Sequence, residues 1–271
     1  MNGAELIIRT AHAAGVELCF ANPGTTEMPL VEALDTIPGI RAILCLSEGV
    51  CTGAADGYGR ISGKPAMTVL HLGPGLANGI SNLHNARRGH SPVLNIIGEH
   101  ATWHRPSDPP LNMNIESLAA TVCGWQRTSK SVTDLSSDTA DAVTASLRGQ
   151  VVCLIVPHDL QWTDCADETI SKTMTPVESV DEHAIGNAVK LLRSVPKSVI
   201  LLGGQTLQKR GLQAAARIRS ATGCDLFCET LPAHMERGRG IPAVDRLPYF
   251  PEQAVAALSA YEAVFLAETP E

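Results

Sequence analysis

The chain has 271 residues, enough for one large or two ordinary domains with a substantial buried core. Its hydrophobic fraction of 44% and charged fraction of 18% are those of a globular protein and exclude a disordered or coiled-coil chain. A formal net charge of −7 offers no broad basic footprint, so neither nucleic acid nor an anionic membrane surface is expected as a partner.

The N-terminal stretch MNGAELIIRTAHAAG lacks the basic flank and continuous apolar core of a secretory signal, and no apolar run approaches the roughly 20 residues of a membrane span. A cytoplasmic location is the resulting expectation. Asn2 and Glu5 have capping-box spacing, which predicts a helix to about Ala14. VELCFA follows as a strand and Asn22-Pro23-Gly24 as a turn, with Thr25 or Thr26 capping a second helix toward Leu34. The strand-like IRAILCLS leads into a helix over 48–61, PAMTVLHL into one over 75–88, and SPVLNIIG into a Pro-rich loop near 99–112. Helices near 114–122 and 136–147 precede VVCLIVP. Fully apolar strands alternating with helices require a parallel sheet covered on both faces, so residues 1–165 are expected to form a doubly wound α/β domain.

Residues 158–180 are polar, with Pro157 and Pro176 at the two ends, and read as a domain connection. Over 181–271 come a helix (181–194), KSVILLGG, a helix (205–221), CDLFCET, a loop rich in Gly, Pro and Arg, a helix (252–260) and AVFLAE. These predict a second, incomplete Rossmann-like α/β domain. The eight cysteines sit in apolar segments without C-x-x-C or zinc-type spacing, and read as reduced core residues rather than disulfides or ligands.

Ligands of open parallel sheets bind beyond the carboxyl ends of the strands. Those ends carry Asn22-Pro23-Gly24-Thr25, Ser47-Glu48, His71 to Gly75, and Gly98-Glu99-His100. Strand-to-helix turns need small and polar residues in any case, which accounts for most of the Gly and Pro. An acid at a helix start ordinarily satisfies the helix dipole. Around Glu48, however, Gly49, Gly53 and Gly57 recur every four residues along one helix face, where a backbone or flat ligand can approach and desolvate a carboxylate. HLGPGLANG lacks the spacing of a dinucleotide fingerprint and the Lys-Ser/Thr ending of a phosphate loop. His100 and His104 are followed by Pro106, Pro109 and Pro110, and read as loop histidines rather than zinc ligands. Spacing thus gives a ligand site within residues 22–100 and no reaction.

NPGTTEMPLVEAL, then LSEGVCTGAADGYGRISGKPAMTVLHLGPGLANGISNLHNARRGHSPVLNIIGEH, then GQVVCLIVPHDL resemble the N-terminal pyrimidine-binding domain of thiamine diphosphate enzymes, in particular the acetolactate synthase-like and benzoylformate decarboxylase-like branches. The resemblance runs in order over residues 1–160. Residues 181–271 are similar to the first part of that family's central domain.

What the resemblance implies is a cofactor and a site. Glu48 matches the glutamate that hydrogen-bonds the aminopyrimidine ring and so promotes loss of the thiazolium C2 proton. His71 matches a histidine of the benzoylformate decarboxylase pattern that transfers protons. Thr25 matches a position facing the substrate carboxylate, and Pro23, Gly24, Gly73, Gly75 and Asn78 match residues lining the cofactor pocket. Gly49 directly after Glu48, with no glutamine in that helix, departs from acetolactate synthases. The implied activity is decarboxylation or carboligation of a 2-oxo acid of unspecified identity. The alternative is an inactive binding or regulatory module that keeps the pyrimidine domain.

The family's Gly-Asp-Gly motif, which with a later asparagine holds Mg²⁺ and the diphosphate, does not occur in these 271 residues. The chain alone is therefore expected to supply half a site and to be inactive without a homo-oligomeric or complementing partner. Flavin binding is left open.

Overall fold

The computed structural model describes residues 1–165 and 180–269, and the chain divides into two compact units, Met1–Thr175 and Pro176–Glu271. The first unit opens with helix α1 (Gly3–Ala13), whose capping box is formed: Glu5 N donates to Asn2 Oδ1 at 2.9 Å and Asn2 N to Glu5 Oε2 at 3.0 Å. There follow β1 (Leu18–Asn22), α2 (Met28–Thr36), β2 (Arg41–Leu44), α3 (Glu48–Ser62), β3 (Ala66–Leu70), α4 (Leu72–Arg88) and β4 (Val93–Glu99). Then come α5 (Ile115–Ala119), β5 (Trp125–Thr128), α6 (Leu135–Ser146), β6 (Val151–Pro157) and α7 (His158–Trp162).

The six strands pair in the order β2-β1-β3-β4-β6-β5, every pair parallel. Strands β3, β4 and β6 are buried along their whole length, as uninterrupted apolar runs demand of strands covered on both faces. One core layer, including Ile7, Leu30, Met67, Ile96 and Leu154, lies on the α1, α2 and α6 face. The other, including Leu70, Leu76, Leu83, Ile97 and Ile155, lies beneath α3, α4 and α5. From β1 the chain turns toward β2 and from β3 toward β4, so the strand order reverses between β1 and β3. That reversal is the topological switch point of the sheet, and open α/β sheets bind their ligands beyond the carboxyl ends of the strands there.

The second unit holds α8 (Glu182–Ser194), β7 (Ser198–Leu202), α9 (Lys209–Thr222), β8 (Asp225–Cys228), the two-residue β9 (Asp245–Arg246), α10 (Pro251–Leu258) and β10 (Ala263–Ala267). Its strands pair in parallel in the order β10-β7-β8-β9 around a core of its own, including Leu192, Leu202, Leu207, Leu212 and Leu226. The α/β class and the doubly wound sheet match the expectation.

Several local expectations change. β5 has no apolar run to announce it; it is a short, half-exposed edge strand beside β6. α4 starts at Leu72 rather than residue 75, so the Gly-Pro-Gly segment is its first turn. The helix expected over 205–221 is a 3₁₀ turn (Gly204–Leu207) followed by α9. Residues 158–165 belong to the first unit rather than to a connection: α7 forms, Asp164 bridges Asn2, and Cys165 N donates to Met1 O at 2.8 Å. The rest of the expected connection, through residue 179, lies outside the described residues. Cys123, just beyond α5, and Cys153, central in β6, bring their sulfurs into contact with Cα atoms 6.4 Å apart, a juxtaposition the sequence reading did not anticipate. Their contact depends on α5 packing against β6, which linear spacing does not show. No helix among the described residues is long and apolar enough to cross a membrane.

Candidate active site

The switch point between β1 and β3 is flanked by three strand-to-helix turns. β2 passes into α3 through the extended Ser47, which places Glu48 in the first helical turn, where the unpaired amides favour a carboxylate. The carboxylate is half-buried, less withdrawn from water than a glycine-lined site leads one to expect. Asn78 Nδ2, from α4, donates to Glu48 Oε2 at 3.1 Å. Two further bonds lock α3 to α4: Thr52 Oγ1 to Gly79 O at 3.0 Å and Asn82 Nδ2 to Gly49 O at 2.7 Å.

The repeating glycines serve this helix contact first. A Cβ on Gly49 would lie 3.6 Å from Asn78 O and one on Gly53 3.0 Å from Asn82 Nδ2, whereas one on Gly57 would meet nothing within 4 Å. The close neighbour is thus the α4 helix, and only Gly57 faces open space. Gly75 stands between the two candidate acid–base residues: a Cβ there would lie 3.5 Å from both Glu48 Oε1 and His71 Cβ.

His71 leaves β3 at a turn in which the buried Leu72 takes φ +52°, a left-handed conformation that non-glycine residues rarely adopt. Its Nδ1 lies 2.8 Å from Glu27 Oε2 and 3.2 Å from Thr26 Oγ1. Glu27 is completely buried. Its Oε2 also accepts the Gly24 N–H at 2.7 Å, and its Oε1 the Thr26 hydroxyl at 2.5 Å. The hydrogen bond that His71 donates to Glu27 raises the imidazole pKa above its ordinary value; burial opposes this, and the negative charges of Glu27 and Glu48 add to it. Gly24 and Gly98 accommodate the pair: a Cβ on Gly24 would fall 2.4 Å from His71 Nδ1, and one on Gly98 1.7 Å from Glu27 Oε1.

The structure therefore brings together Gly24, Glu48, His71, Gly75 and Asn78. Gly73 underlies the loop after β4, since a Cβ there would lie 2.5 Å from Met113 Cβ. Pro23 is half-buried in the turn, and Thr25 is exposed on the 3₁₀ turn Thr25–Glu27. Neither Thr25 nor Thr26 caps α2. The Gly24 amide is taken by Glu27, and Thr26 turns inward. Glu27 and Thr26 were missing from the sequence-based site; the signal for Glu27 is its place three residues after Gly24, where a carboxylate reaches back to the first free amide.

The end of β4 carries a second buried carboxylate. Glu99 is 1% exposed, and burial pushes its carboxyl up against the pull of the His100 N–H and of Arg105, whose Nε lies 3.6 Å away. Arg105 also reaches Glu116 at 3.3 Å, so it is neutralised by acids from β4 and α5. His100 and His104 meet edge to face at 5.8 Å between ring centroids.

A doubly wound sheet with a carboxylate and an imidazole at its switch point defines an α/β cofactor-binding unit. Residues 1–118 match the family described as thiamine pyrophosphate enzyme, N-terminal TPP binding domain. The chain is 47% identical over 269 residues to IlvX of Mycobacterium tuberculosis, a protein named among acetolactate synthase large subunits; the match covers 98% of this chain and 52% of that one. It is 31% identical over 170 residues to benzoylformate decarboxylase of Pseudomonas aeruginosa, covering 59% of this chain and 32% of that one. Its fold superimposes on the thiamine diphosphate-dependent 4-hydroxybenzoylformate decarboxylase of Rhodococcus jostii RHA1 with a TM-score of 0.83 at 20% identity, covering 100% of this chain and 52% of the other. The chain spans about half the length, or less, of the curated relatives named here.

Proposed function

We propose that this chain supplies the aminopyrimidine side of a thiamine diphosphate-dependent 2-oxo acid decarboxylase or carboligase, with Glu48 and His71 as its acid–base groups. The observation that carries the reading is the placement of these two side chains on either side of Gly75 at the switch point. The residues fit the cofactor. A flat aminopyrimidine offers both donors and acceptors, and this site pairs a carboxylate, oriented by Asn78, with position 75, which carries no side chain beside it. Pro23, Gly24, Gly73, Gly75 and Asn78 would line the ring, and Thr25 would meet the substrate carboxylate.

Thiamine diphosphate, when bound, supplies a nucleophilic carbon and an electron sink for breaking the bond to the carboxyl carbon of a 2-oxo acid. Glu48 Oε2 is held by the Asn78 amide, which leaves Oε1 to share a proton with a ring nitrogen. His71, its Nδ1 engaged by Glu27, is left to give or take a proton through Nε2. The diphosphate and its Mg²⁺ are assigned to residues outside these 271, because the relatives are about twice as long. No flavin is assigned.

The test is reconstitution of the chain with a polypeptide carrying the remaining half of a relative, followed by CO₂ release from pyruvate and benzoylformate with Mg²⁺ and thiamine diphosphate. Glu48→Gln is expected to lower kcat by roughly 10²-fold or more, the scale on which positioned acid–base groups act. Undiminished turnover in that variant would rule out the assignment of Glu48.

A further inference from the structure

The bland account of Glu27 is that it caps the Gly24 amide. That account leaves too much unexplained. Capping a turn needs one oxygen and is usually done at the surface, yet Glu27 is wholly buried and its two oxygens take three donors: the Gly24 N–H, the Thr26 hydroxyl and His71 Nδ1. A buried carboxylate is costly to desolvate, and an apolar side chain of similar volume would fill the space more cheaply. The surroundings are cut to fit it, because Gly98 and Gly24 leave no room for a side chain against Glu27 Oε1 and His71 Nδ1. The charged groups facing His71 are Glu27, from the 3₁₀ turn, and Glu48, from α3. Both are acidic, but only Glu27 touches the ring.

We propose that Glu27 is the positioning residue of this site: it holds His71 as the Nδ1–H tautomer, leaves Nε2 as the atom that exchanges protons at the switch point, and provides the counter-charge when the ring is doubly protonated. This rests on the reading of His71 as an acid–base group. The geometry is that of a buried carboxylate behind a working imidazole, which selects the tautomer without itself changing protonation. Thr26 completes the carboxylate's shell and fixes its rotation, since its hydroxyl bonds the oxygen that does not face Gly24.

The test is NMR of the ¹⁵N-histidine-labelled chain without cofactor, with the His71 ring assigned by loss of its signals in His71→Gln. The neutral ring is expected to be protonated at Nδ1 and to titrate above an ordinary histidine. In Glu27→Gln, which keeps an acceptor and loses the charge, the midpoint is expected to fall; in Glu27→Leu, which offers no acceptor, the Nδ1–H preference is expected to be lost; in Thr26→Val, which keeps the carboxylate, Nδ1–H is expected to persist. An Nε2–H ring in the wild-type chain, a measurement that needs no variant to fold, would overturn the proposal. So would a His71 titration unmoved by Glu27→Gln in a folded protein. Neither readout uses turnover, so failed CO₂ release in the reconstituted enzyme would count against the proposed function and leave the Glu27 assignment standing.

Discussion

His71 binds its proton more tightly in the folded chain than in the unfolded one, chiefly through its hydrogen bond to Glu27. An unfolded imidazole titrates near about 6.5, so between that value and the raised folded value the native state holds the extra proton. The associated stability is fully present below the unfolded value and is lost as pH rises through the folded one. Urea midpoints are therefore expected to fall from about pH 6 to about pH 8 in the wild-type chain, and to fall less in His71→Gln; equal slopes would mean that the ion pair adds nothing. The positions of Gly24, Glu48 and His71 just beyond strand ends were legible in the sequence, because apolar runs mark where each strand stops. Glu27 was not, because its meaning lies in a partner 44 residues away that reaches it only across the β1–β3 pairing.

At the scale of elements, the buried strands were legible because apolar runs bounded by Gly, Pro and polar turns have few other uses. The short strand Trp125–Thr128 was hidden. Its half-exposed residues are held by partners: Arg127 by Asp138 and Asp141 at 2.7 and 2.8 Å, and by the Trp125 ring 4.9 Å below it. The glycine face of α3 was visible as spacing, but its neighbour was not. Asn82 Nδ2 is already committed to Gly49 O, so it cannot easily yield to a methyl group at Gly53, whereas Gly57 faces open space in mid-helix. Gly57→Ala is expected to stabilise the isolated chain by about 0.5–1 kcal/mol through helix propensity alone, and Gly53→Ala to give no such gain. Chemical denaturation of the two variants side by side reads the difference; a loss at Gly57 would mean that another chain covers that face.

At the scale of the molecule, each unit carries its own parallel sheet and its own apolar core. Residues 1–165, expressed alone, are expected to give a dispersed NMR spectrum and a cooperative thermal transition; a fragment that stays unfolded would show that its two core layers are insufficient without the second unit. The switch point also bears on how such a site diverges. Glu48 pairs with Asn78 and His71 pairs with Glu27, and no hydrogen bond among the described residues joins the two pairs. Replacing the imidazole with a hydroxyl leaves Glu27 without the ring it touches and position 24 without its reason to stay bare, while the hydrogen bond between positions 48 and 78 persists. On the proposed roles, proton handling is thus rewritten in one block of 24, 27 and 71, and the Glu48–Asn78 hydrogen bond proposed to face the cofactor is passed down intact.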